Sequence, residues 1–388
     1  MKDVYIVDYQ VRDCLGVQIE ENYKNMAATP GAETIKRYNT EEFPHVMSTK
    51  GFHMNYVDNS YTPFRLVLDL INDMSSRYSM PKDTAVIYGS FGIGAAVKEE
   101  FTRAFSAQQR RFSPTKLFSA NHDLLSAIIS SKLKLEGINT SLNAACSSSM
   151  FNLQFAAMLI QTGQAPAALV GAVDMPLFST LQYYWQCTSA ISTENGGQCK
   201  PFDKNRDGFL QGEGGTLWYI CDEETLKTHN LTPKAKLRSI ASGAKVTSMT
   251  AHDPSCEHQI KMINQALTQA DLTAHDISFF NSHATSTLIG DDIELDVFQR
   301  VFENIDIPIV SFKGYLGHTM SACGLIESAY GLEAVKNRYL QPNYNLSDPL
   351  SDDPRIITEA VELKNNIFMK ASFGFGGRTS IAIFEGIQ

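Results

Sequence analysis

Two kinds of apolar pattern alternate along most of the chain. Short runs rich in β-branched and aromatic residues predict strands, and stretches with apolar positions three and four residues apart predict helices. Strands are predicted at residues 1–8, 84–88, 140–145, 167–173, 214–221, 277–281, 307–312, 367–372 and 379–384, and the run at 140–145 is expected to be buried. Helices are predicted at residues 121–135, 151–162, 259–270, 291–302 and 320–336. This alternation favours an α/β fold.

A polar passage at residues 223–233 separates two similar halves. Beyond it the order of predicted strands and helices recurs, although no residue-by-residue repeat is visible. We therefore expect a duplicated α/β fold with a site between the halves. The expected domains are residues 1–228, which carry Cys146, and residues 229–388, which carry His283 and His318.

Composition and charge exclude several classes of protein. Of the 388 residues, 43% are hydrophobic and 19% are charged, which is too apolar for a disordered chain. The net charge of −9 has the wrong sign for a strongly basic nucleic-acid-binding protein. No run approaches the roughly 20 apolar residues that span a bilayer, and the start is too acidic for a secretory signal. Neither a nucleic acid nor a membrane is therefore expected as a partner. Seven scattered cysteines predict reduced thiols in a cytoplasmic protein.

Cys146 is the first candidate for a chemical role. It lies in the segment Asn-Ala-Ala-Cys-Ser-Ser-Ser at 143–149, between a predicted strand and a predicted helix. At a helix N-terminus the free N–H groups and the macrodipole favour the thiolate, and the same N–H groups can stabilise an oxyanion. An isolated cysteine is usually a buried structural residue, so this segment alone leaves a nucleophile and a structural thiol equally open.

Two histidines follow predicted strands in the second half. His283 comes directly after the strand at 277–281, and His318 lies in a glycine-containing turn before a predicted helix. Open α/β sheets bind ligands at the C-terminal ends of their strands. Each histidine alone is more often a core or turn residue, but together with Cys146 they predict a Cys/His/His site.

Three weaker signals leave more than one interpretation open. The segment Ser-Phe-Gly-Phe-Gly-Gly at 372–377 lacks the features of a Walker loop or a dinucleotide fingerprint, so it is a tight hairpin or a turn with exposed N–H groups between two phenylalanines. A His/Cys/His set within residues 252–258 has no second ligand pair, so no metal is predicted. Arg110 and Arg111 form a basic pair, which is usually solvated surface and sometimes binds an anionic partner.

Several motifs, in this order, resemble those of the β-ketoacyl synthases, the condensing enzymes of the thiolase superfamily. The resemblance covers roughly Pro81 to the C-terminus. It depends on the active-site segment from Gly137 through Cys146 to Leu153, PFDKNRDGF…GEG at 201–214, HATST…GD…E at 283–294, and K…GH at 313–318 with Glu327. The set is most similar to the elongating (type II) ketosynthases. It implies a thiolase-like duplicated fold, layered αβαβα with two mixed sheets.

The resemblance also implies roles for individual residues. Cys146 is the implied acylated nucleophile, and His283 and His318 are the implied pair that assists malonyl decarboxylation. Lys313 and Glu327 are the implied supporting ion pair, and Cys146, Phe375 and Phe373 the implied oxyanion hole and gate. The hydroxyls implied to hold the phosphopantetheine arm are those of Thr285, Thr287 and Thr250. The resemblance also implies that the carrier protein docks at Arg110 and Arg111.

The implied reaction is that of a 3-oxoacyl-(acyl carrier protein) synthase. Malonyl-(acyl carrier protein) loses carbon dioxide and condenses with an acyl group held on Cys146. No metal or other cofactor is expected, because phosphopantetheine enters on the acyl carrier protein. The implied partners are that carrier protein and a second subunit, in a homodimer or in a heterodimer with a chain-length factor. Two alternatives are a non-catalytic subunit like a chain-length factor and an acyl-transferring or hydrolytic enzyme on the same fold.

Three departures from the family pattern concern substrate choice. Ala284 replaces a glycine, Gly377-Arg378-Thr379 replaces Gly-Thr-Asn, and the first 60 or so residues lack the usual glycine-bearing opening. The catalytic set is intact, so the departures leave the reaction class unchanged. They favour a specialised synthase, for example one that makes aryl polyenes or polyketide-type chains, as readily as a fatty acid enzyme.

Overall fold

The chain folds into strands and helices that alternate along both halves. The computed structural model describes residues 2–26, 35–37, 50–54, 57, 62–108, 121, 123–176, 179–188, 190–192, 198–248 and 253–387. Its strands are β1 (Val4–Asp13), β2 (Ile35–Arg37), β3 (Lys50–Phe52), β4 (Ala85–Gly89), β5 (Asn139–Thr140), β6 (Ala167–Asp174), β7 (Gln211–Gly212), β8 (Gly214–Cys221), β9 (Ala235–Ala244), β10 (Phe280–Asn281), β11 (Ile309–Val310), β12 (Tyr339–Leu340), β13 (Val361–Glu362), β14 (Ile367–Gly374) and β15 (Arg378–Gly386). Its α-helices are α1 (Ile19–Asn25), α2 (Pro63–Arg77), α3 (Ile93–Ser106), α4 (Leu124–Leu133), α5 (Ser148–Gln161), α6 (Ser179–Cys187), α7 (Glu223–Thr228), α8 (Glu257–Ala270), α9 (Leu288–Val301), α10 (Lys313–Leu316) and α11 (Cys323–Asn337).

Each half contributes the same arrangement of strands to the main sheet. The order is β5-β4-β6-β8-β1 in the first half and β11-β10-β14-β15-β9 in the second. In both, the first three strands are parallel and the last two are antiparallel to their neighbours. A short antiparallel ladder between β1 and β9 joins the two mixed sheets into one ten-stranded sheet. The identical topology confirms the predicted duplicated α/β fold.

Helices fill three layers around the two sheets. Helices α5 and α11 pack against each other and against strands of both halves, so they form the central layer. Helices α2 and α4 cover the first sheet, α8 covers the second sheet, and α9 packs against α8. Strand β4 is buried on both faces: Ala85 and Ile87 join the central core, whereas Val86 and Tyr88 join the outer core. The result is the expected αβαβα layering.

The predicted buried strand at 140–145 is wrong beyond Thr140. The backbone N–H of Leu142 donates to Asn152 Oδ1 (3.1 Å), and the N–H of Ala144 donates to Ser148 Oγ (2.9 Å). Side chains of α5 therefore accept the bonds that a neighbouring strand would otherwise take. The chain leaves the sheet early, and this departure brings residue 146 to the start of α5.

Other differences concern the lengths of elements. The strands predicted at 277–281 and 307–312 have only two paired residues each, in β10 and β11. The polar passage at 223–233 contains α7, whose first turn is capped by the Asp222 carboxylate, which accepts from the N–H of Thr225 (2.8 Å). The domain division at 228/229 stays a prediction. None of the described helices combines the length and the apolar character that a bilayer crossing requires.

Candidate active site

Cys146 lies in a tight turn directly before α5. The N–H of Ala145 donates to Asn143 Oδ1 (3.1 Å), and Ser148 Oγ donates to the carbonyl of Ala145 (2.6 Å). Ala145 itself has a φ of 52°, in the left-handed region that residues other than glycine rarely adopt. The strained turn and Ser148, the first residue of α5, hold the thiol at the N-terminal end of this helix.

The protonation of Cys146 depends on opposing effects. Burial, the largest effect, raises the pKa of the Cys146 thiol, and the nearby Cys323 raises it further, against an opposing effect of Lys313. Burial therefore acts against the thiolate that the N-terminus of a helix favours. The Sγ atom lies 3.1 Å from His318 Nε2, so an imidazole is in position to take the proton.

Two buried histidine rings converge beside this thiol. The backbone N–H of His318 donates to the carbonyl of Leu210 (2.7 Å), and the backbone N–H of His283 donates to Glu294 Oε1 (2.6 Å). The ring centroids are 5.4 Å apart at an interplanar angle of 82°. Gly317, with a φ of 65°, allows the turn that presents His318. Burial lowers the pKa of His318 well below its usual value, so this imidazole is neutral at physiological pH.

A buried ion cluster lies behind the histidines. Lys313 Nζ is 2.6 Å from Glu327 Oε1, and Lys370 Nζ is 2.5 Å from Glu327 Oε2, with all three side chains at most 1% exposed. Burial pushes the pKa of Lys313 down, but Glu327 and other neighbours more than compensate, and the net pKa is raised. Lys370 was missed by the sequence reasoning. Its signal was a single lysine within the otherwise apolar closing strand β14.

The glycine-rich segment forms the turn between β14 and β15 and lies against the turn that carries Cys146. An added Cβ at Gly374 would lie 2.7 Å from the carbonyl oxygen of Ala144, so only glycine permits this approach. Phe373 packs at 5.9 Å from the ring of His283, between centroids. The ring of Phe375 lies 5.6 Å from Trp185, inside an aromatic cluster that also contains Phe209. Both phenylalanines singled out in the sequence therefore border the site.

Aromatic contacts connect this cluster to His318. Trp185 lies 5.4 Å from Phe209, and Phe209 lies 5.2 Å from His318, edge to face. Neither Trp185 nor Phe209 was assigned a role from the sequence. No local pattern marks Trp185 as a neighbour of the site. Phe209 is the last residue of the PFDKNRDGF motif, and that motif by itself gave no sign of the contact with His318.

Thr285 and Thr287 form a half-buried hydroxyl pair, with their Oγ1 atoms 3.1 Å apart. Asp291 fixes the loop by accepting from the N–H of Thr285 (2.9 Å) and from the N–H of Phe202 (2.9 Å). Arg206 donates to the carbonyl of Thr287 (3.1 Å). The PFD and GD motifs thus meet as one scaffold under the threonine pair, and burial raises the pKa of Asp291 to about 6.

Asp174 is a further polar residue that the sequence reasoning missed. Its buried carboxylate accepts from Ser90 Oγ (2.7 Å), from the N–H of Gly92 (2.7 Å) and from the N–H and hydroxyl of Ser321. These bonds connect the end of β6 to the segment that leads into α11. Asp174 therefore orders the wall next to Cys146. Its negative charge also raises the pKa of the Cys146 thiol.

Some predicted residues cannot be placed. Thr250, Arg110 and Arg111 lie outside the described residues. Within the described part of the chain, no group of three or more His, Cys, Asp or Glu side chains could hold a metal ion. Cys256 instead directs its thiol to Asp296 Oδ2 (3.1 Å).

Comparisons with known proteins agree with this geometry. Family models match residues 73–224, as the N-terminal domain of β-ketoacyl synthases, and residues 235–347, as their C-terminal domain. A 3-oxoacyl-[acyl-carrier-protein] synthase 2 from Coxiella burnetii is 27% identical over 305 residues, covering 76% of this chain and 74% of that protein.

Two solved structures share the fold over the full length of both chains. A type II polyketide acyl carrier protein in complex with its ketosynthase, bound to the hexaketide, has a TM-score of 0.88 at 20% identity. The ishigamide ketosynthase/chain length factor has a TM-score of 0.86 at 19% identity. Together the family models match more than half of the chain. The chain belongs to the β-ketoacyl synthase family, acyltransferases that carry out the condensation step of chain elongation.

Proposed function

We propose that this chain condenses malonyl-(acyl carrier protein) with an acyl group carried on Cys146, as an elongating 3-oxoacyl-(acyl carrier protein) synthase. The observation that carries the proposal is the 3.1 Å contact between Cys146 Sγ and His318 Nε2, with the ring of His283 5.4 Å from that of His318. A nucleophile, a base and a second imidazole are thereby within reach of one substrate carbonyl.

In the first half-reaction, Cys146 attacks the thioester of an acyl carrier protein. The new bond joins Sγ to the acyl carbon, and the bond from that carbon to the phosphopantetheine sulfur breaks. The thiol proton passes through His318 to the departing sulfur. The transient oxyanion is stabilised by the N–H groups of Cys146 and Phe375, which are the proposed oxyanion hole beside the gating residues Phe375 and Phe373.

In the second half-reaction, malonyl-(acyl carrier protein) replaces the first carrier protein. The bond between its C2 atom and the carboxylate breaks, and carbon dioxide leaves. His283 and His318 stabilise the enolate oxygen through their ring N–H groups, which a neutral imidazole can still donate. The enolate carbon then bonds to the acyl carbon, and the bond from that carbon to Sγ breaks. Cys146 departs as a thiolate and takes up one proton from solvent, and a 3-oxoacyl product is released. Lys313 and Glu327 form the supporting ion pair.

The proposed partner in both steps is an acyl carrier protein, and the chain needs no resident cofactor. The hydroxyls of Thr285 and Thr287, with Thr250, are proposed to hold the phosphopantetheine arm. Arg110 and Arg111 are proposed to attract the acidic carrier protein. A related ketosynthase structure contains its acyl carrier protein, and another contains a chain length factor, which supports a carrier-protein partner and a homodimer or such a heterodimer here.

We also propose that the acyl chain is of the fatty acid, aryl polyene or polyketide type, and that the protein is cytoplasmic. Ala284 directly follows His283, and Arg378 donates to the carbonyl of Phe375 (3.0 Å). Both differ from the residues typical of the family, which favours a specialised chain as readily as a fatty acid chain. All seven cysteines are unpaired, which is usual in a reducing compartment. A non-catalytic subunit is disfavoured because such a subunit has no use for a thiol in contact with an imidazole. An enzyme that only transfers or hydrolyses the acyl group would not need malonyl decarboxylation, and the presence of His318 with Lys313 disfavours it.

The test is the intact mass of the protein after incubation with acyl carrier proteins loaded with saturated or polyunsaturated acyl chains. We expect a gain of one acyl group that malonyl-(acyl carrier protein) removes as 3-oxoacyl product. Cys146→Ala should abolish the gain, whereas Cys187→Ala should retain it, because Cys187 is an exposed thiol. Absence of acylation in the wild type, alone and with a co-purified partner subunit, would refute the proposal.

A further inference from the structure

Lys370 occupies an unusual place for a charged side chain. Its side chain is fully buried, and its Nζ donates to Glu327 Oε2 (2.5 Å), to the carbonyl of Ser282 (2.8 Å) and to Asn281 Oδ1 (3.1 Å). We call these three oxygens the oxygen nest. The nest takes one oxygen from a carboxylate, one from a backbone carbonyl and one from an amide.

The three contacts identify the form of the amine. An ammonium has three N–H donors, and each finds one acceptor in the oxygen nest. A neutral amine would turn its lone pair toward one of these oxygens, which is repulsive. Although burial lowers the pKa of Lys370, the geometry is that of the charged form.

The oxygen nest is connected to the reacting groups through the backbone. Asn281 and Ser282 immediately precede His283, and Asn281 Nδ2 also donates to the carbonyl of Glu327 (2.8 Å). Lys370 therefore ties β14, the loop that presents His283 and helix α11 together at one point. A displacement of this junction moves His283 directly.

The cluster also carries excess positive charge. The two ammonium groups of Lys313 and Lys370 share one carboxylate, that of Glu327. Burial, the largest effect, raises the pKa of the nearby Glu294 to about 8, against opposing effects of Lys370 and Lys313. The enolate that forms beside the histidines is an anion, and a fixed cation nearby stabilises it.

We propose that Lys370 is a positioning residue for the decarboxylation and condensation half-reaction, acting as a built-in cation that fills the oxygen nest behind His283. The inference depends on the proposed function, and it separates the two half-reactions. Acylation of Cys146 uses the pair of Cys146 and His318, which Lys370 does not contact, whereas enolate formation uses His283 and the surrounding positive charge.

The test compares Lys370→Ala with Lys370→Met, using the acylated protein and malonyl-(acyl carrier protein). We expect both variants to be acylated at a rate within about threefold of the wild type. Their condensation rate should fall on the order of 100-fold, whereas KM for the malonyl substrate should change little. Ammonium or methylammonium chloride should restore condensation at least tenfold in Lys370→Ala, whose shortened side chain leaves space at the oxygen nest. It should not restore Lys370→Met, whose side chain fills that space.

The controls separate the role of Lys370 from general damage. Lys364→Ala changes an exposed lysine on the segment before β14, which is paired with Asp306, and should behave as the wild type under all salts. Tetramethylammonium chloride, which is too large for the oxygen nest, should rescue neither variant. If Lys370→Ala does not fold, the selective loss of condensation in Lys370→Met carries the test.

Three results would overturn the inference. They are condensation within threefold of the wild type in both variants, equal loss of acylation and condensation, and absence of amine rescue in a folded Lys370→Ala variant. A wild type that never acylates or condenses would instead refute the proposed function, so the two failures are distinguishable.

Discussion

Neutralising Glu327 is the sharpest test of the buried ion cluster. The substitution Glu327→Gln leaves the ammonium groups of Lys313 and Lys370 buried with no opposing carboxylate, where the wild type has contacts of 2.6 and 2.5 Å. Removing one partner of a buried ion pair costs about 3–5 kcal/mol. Because Lys370 keeps two neutral acceptors, we expect a loss of about 4 kcal/mol in the free energy of unfolding. With an unfolding entropy of about 2.1 cal/mol/K per residue over 388 residues, this is a fall in Tm of about 5 °C.

The pH dependence of this loss has a defined sign. Without the carboxylate, the pKa of the buried lysines falls below the unfolded value, and the folded state binds fewer protons than the unfolded chain. Stability therefore rises with pH. The Tm deficit of Glu327→Gln relative to the wild type should shrink between pH 7 and pH 9, as measured by differential scanning calorimetry.

A matched exposed pair provides the control for this measurement. Lys82 and Glu136 form a contact of 3.0 Å with side chains 78% and 69% exposed, so Glu136→Gln should leave Tm unchanged. The reasoning fails if Glu327→Gln melts within 1 °C of the wild type at pH 7. It also fails if the deficit grows toward pH 9.

Three further outcomes follow from the site. His318→Ala should slow single-turnover acylation of Cys146 by about 100-fold or more in quenched-flow assays, because the base 3.1 Å from Sγ is lost; an unchanged rate would assign the proton to another group. Gly374→Ala should slow acylation at least tenfold, because its Cβ would lie 2.7 Å from the carbonyl oxygen of Ala144 and 3.2 Å from Ser147 Oγ; wild-type acylation would show that the turn yields freely. Alkylation of Cys146 by iodoacetamide, followed by peptide mass spectrometry, should accelerate continuously from pH 6 to pH 9, because burial raises the pKa of the thiol; a plateau below pH 7 would indicate a resting thiolate.

The sequence predicted those elements whose signal is a continuous local pattern. The strand at 214–221 was predicted with its observed bounds, because a parallel or central strand that is buried on both faces is apolar throughout. The run at 140–145, Thr-Ser-Leu-Asn-Ala-Ala, was also predicted to be a buried strand but leaves the sheet after Thr140, since its backbone donors go to Asn152 and Ser148 of α5. That choice depends on which acceptors approach in space, and no pattern within the run records it.

Candidate site residues divide in a similar way. Cys146, His283 and His318 were found from motifs, because each lies in a short segment with a distinctive composition. Lys370 was not, since one lysine in β14 looks like an isolated polar position until the strand lies beside Asn281 and Glu327.

The sequence by itself determined the α/β class and the duplication of strand order, and it singled out Cys146, His283 and His318 as candidate site residues. These depend on periodicity and on residue types at short spacing, which are properties of local segments. The tertiary structure alone decided the protonation of Cys146 and the place of Lys370. A pKa depends on how completely distant segments exclude water, and Cys323, whose thiol donates to the carbonyl of Cys146 (3.3 Å), comes from the other half of the chain. Burial and charge pairing between remote residues exist only once the two halves are packed together.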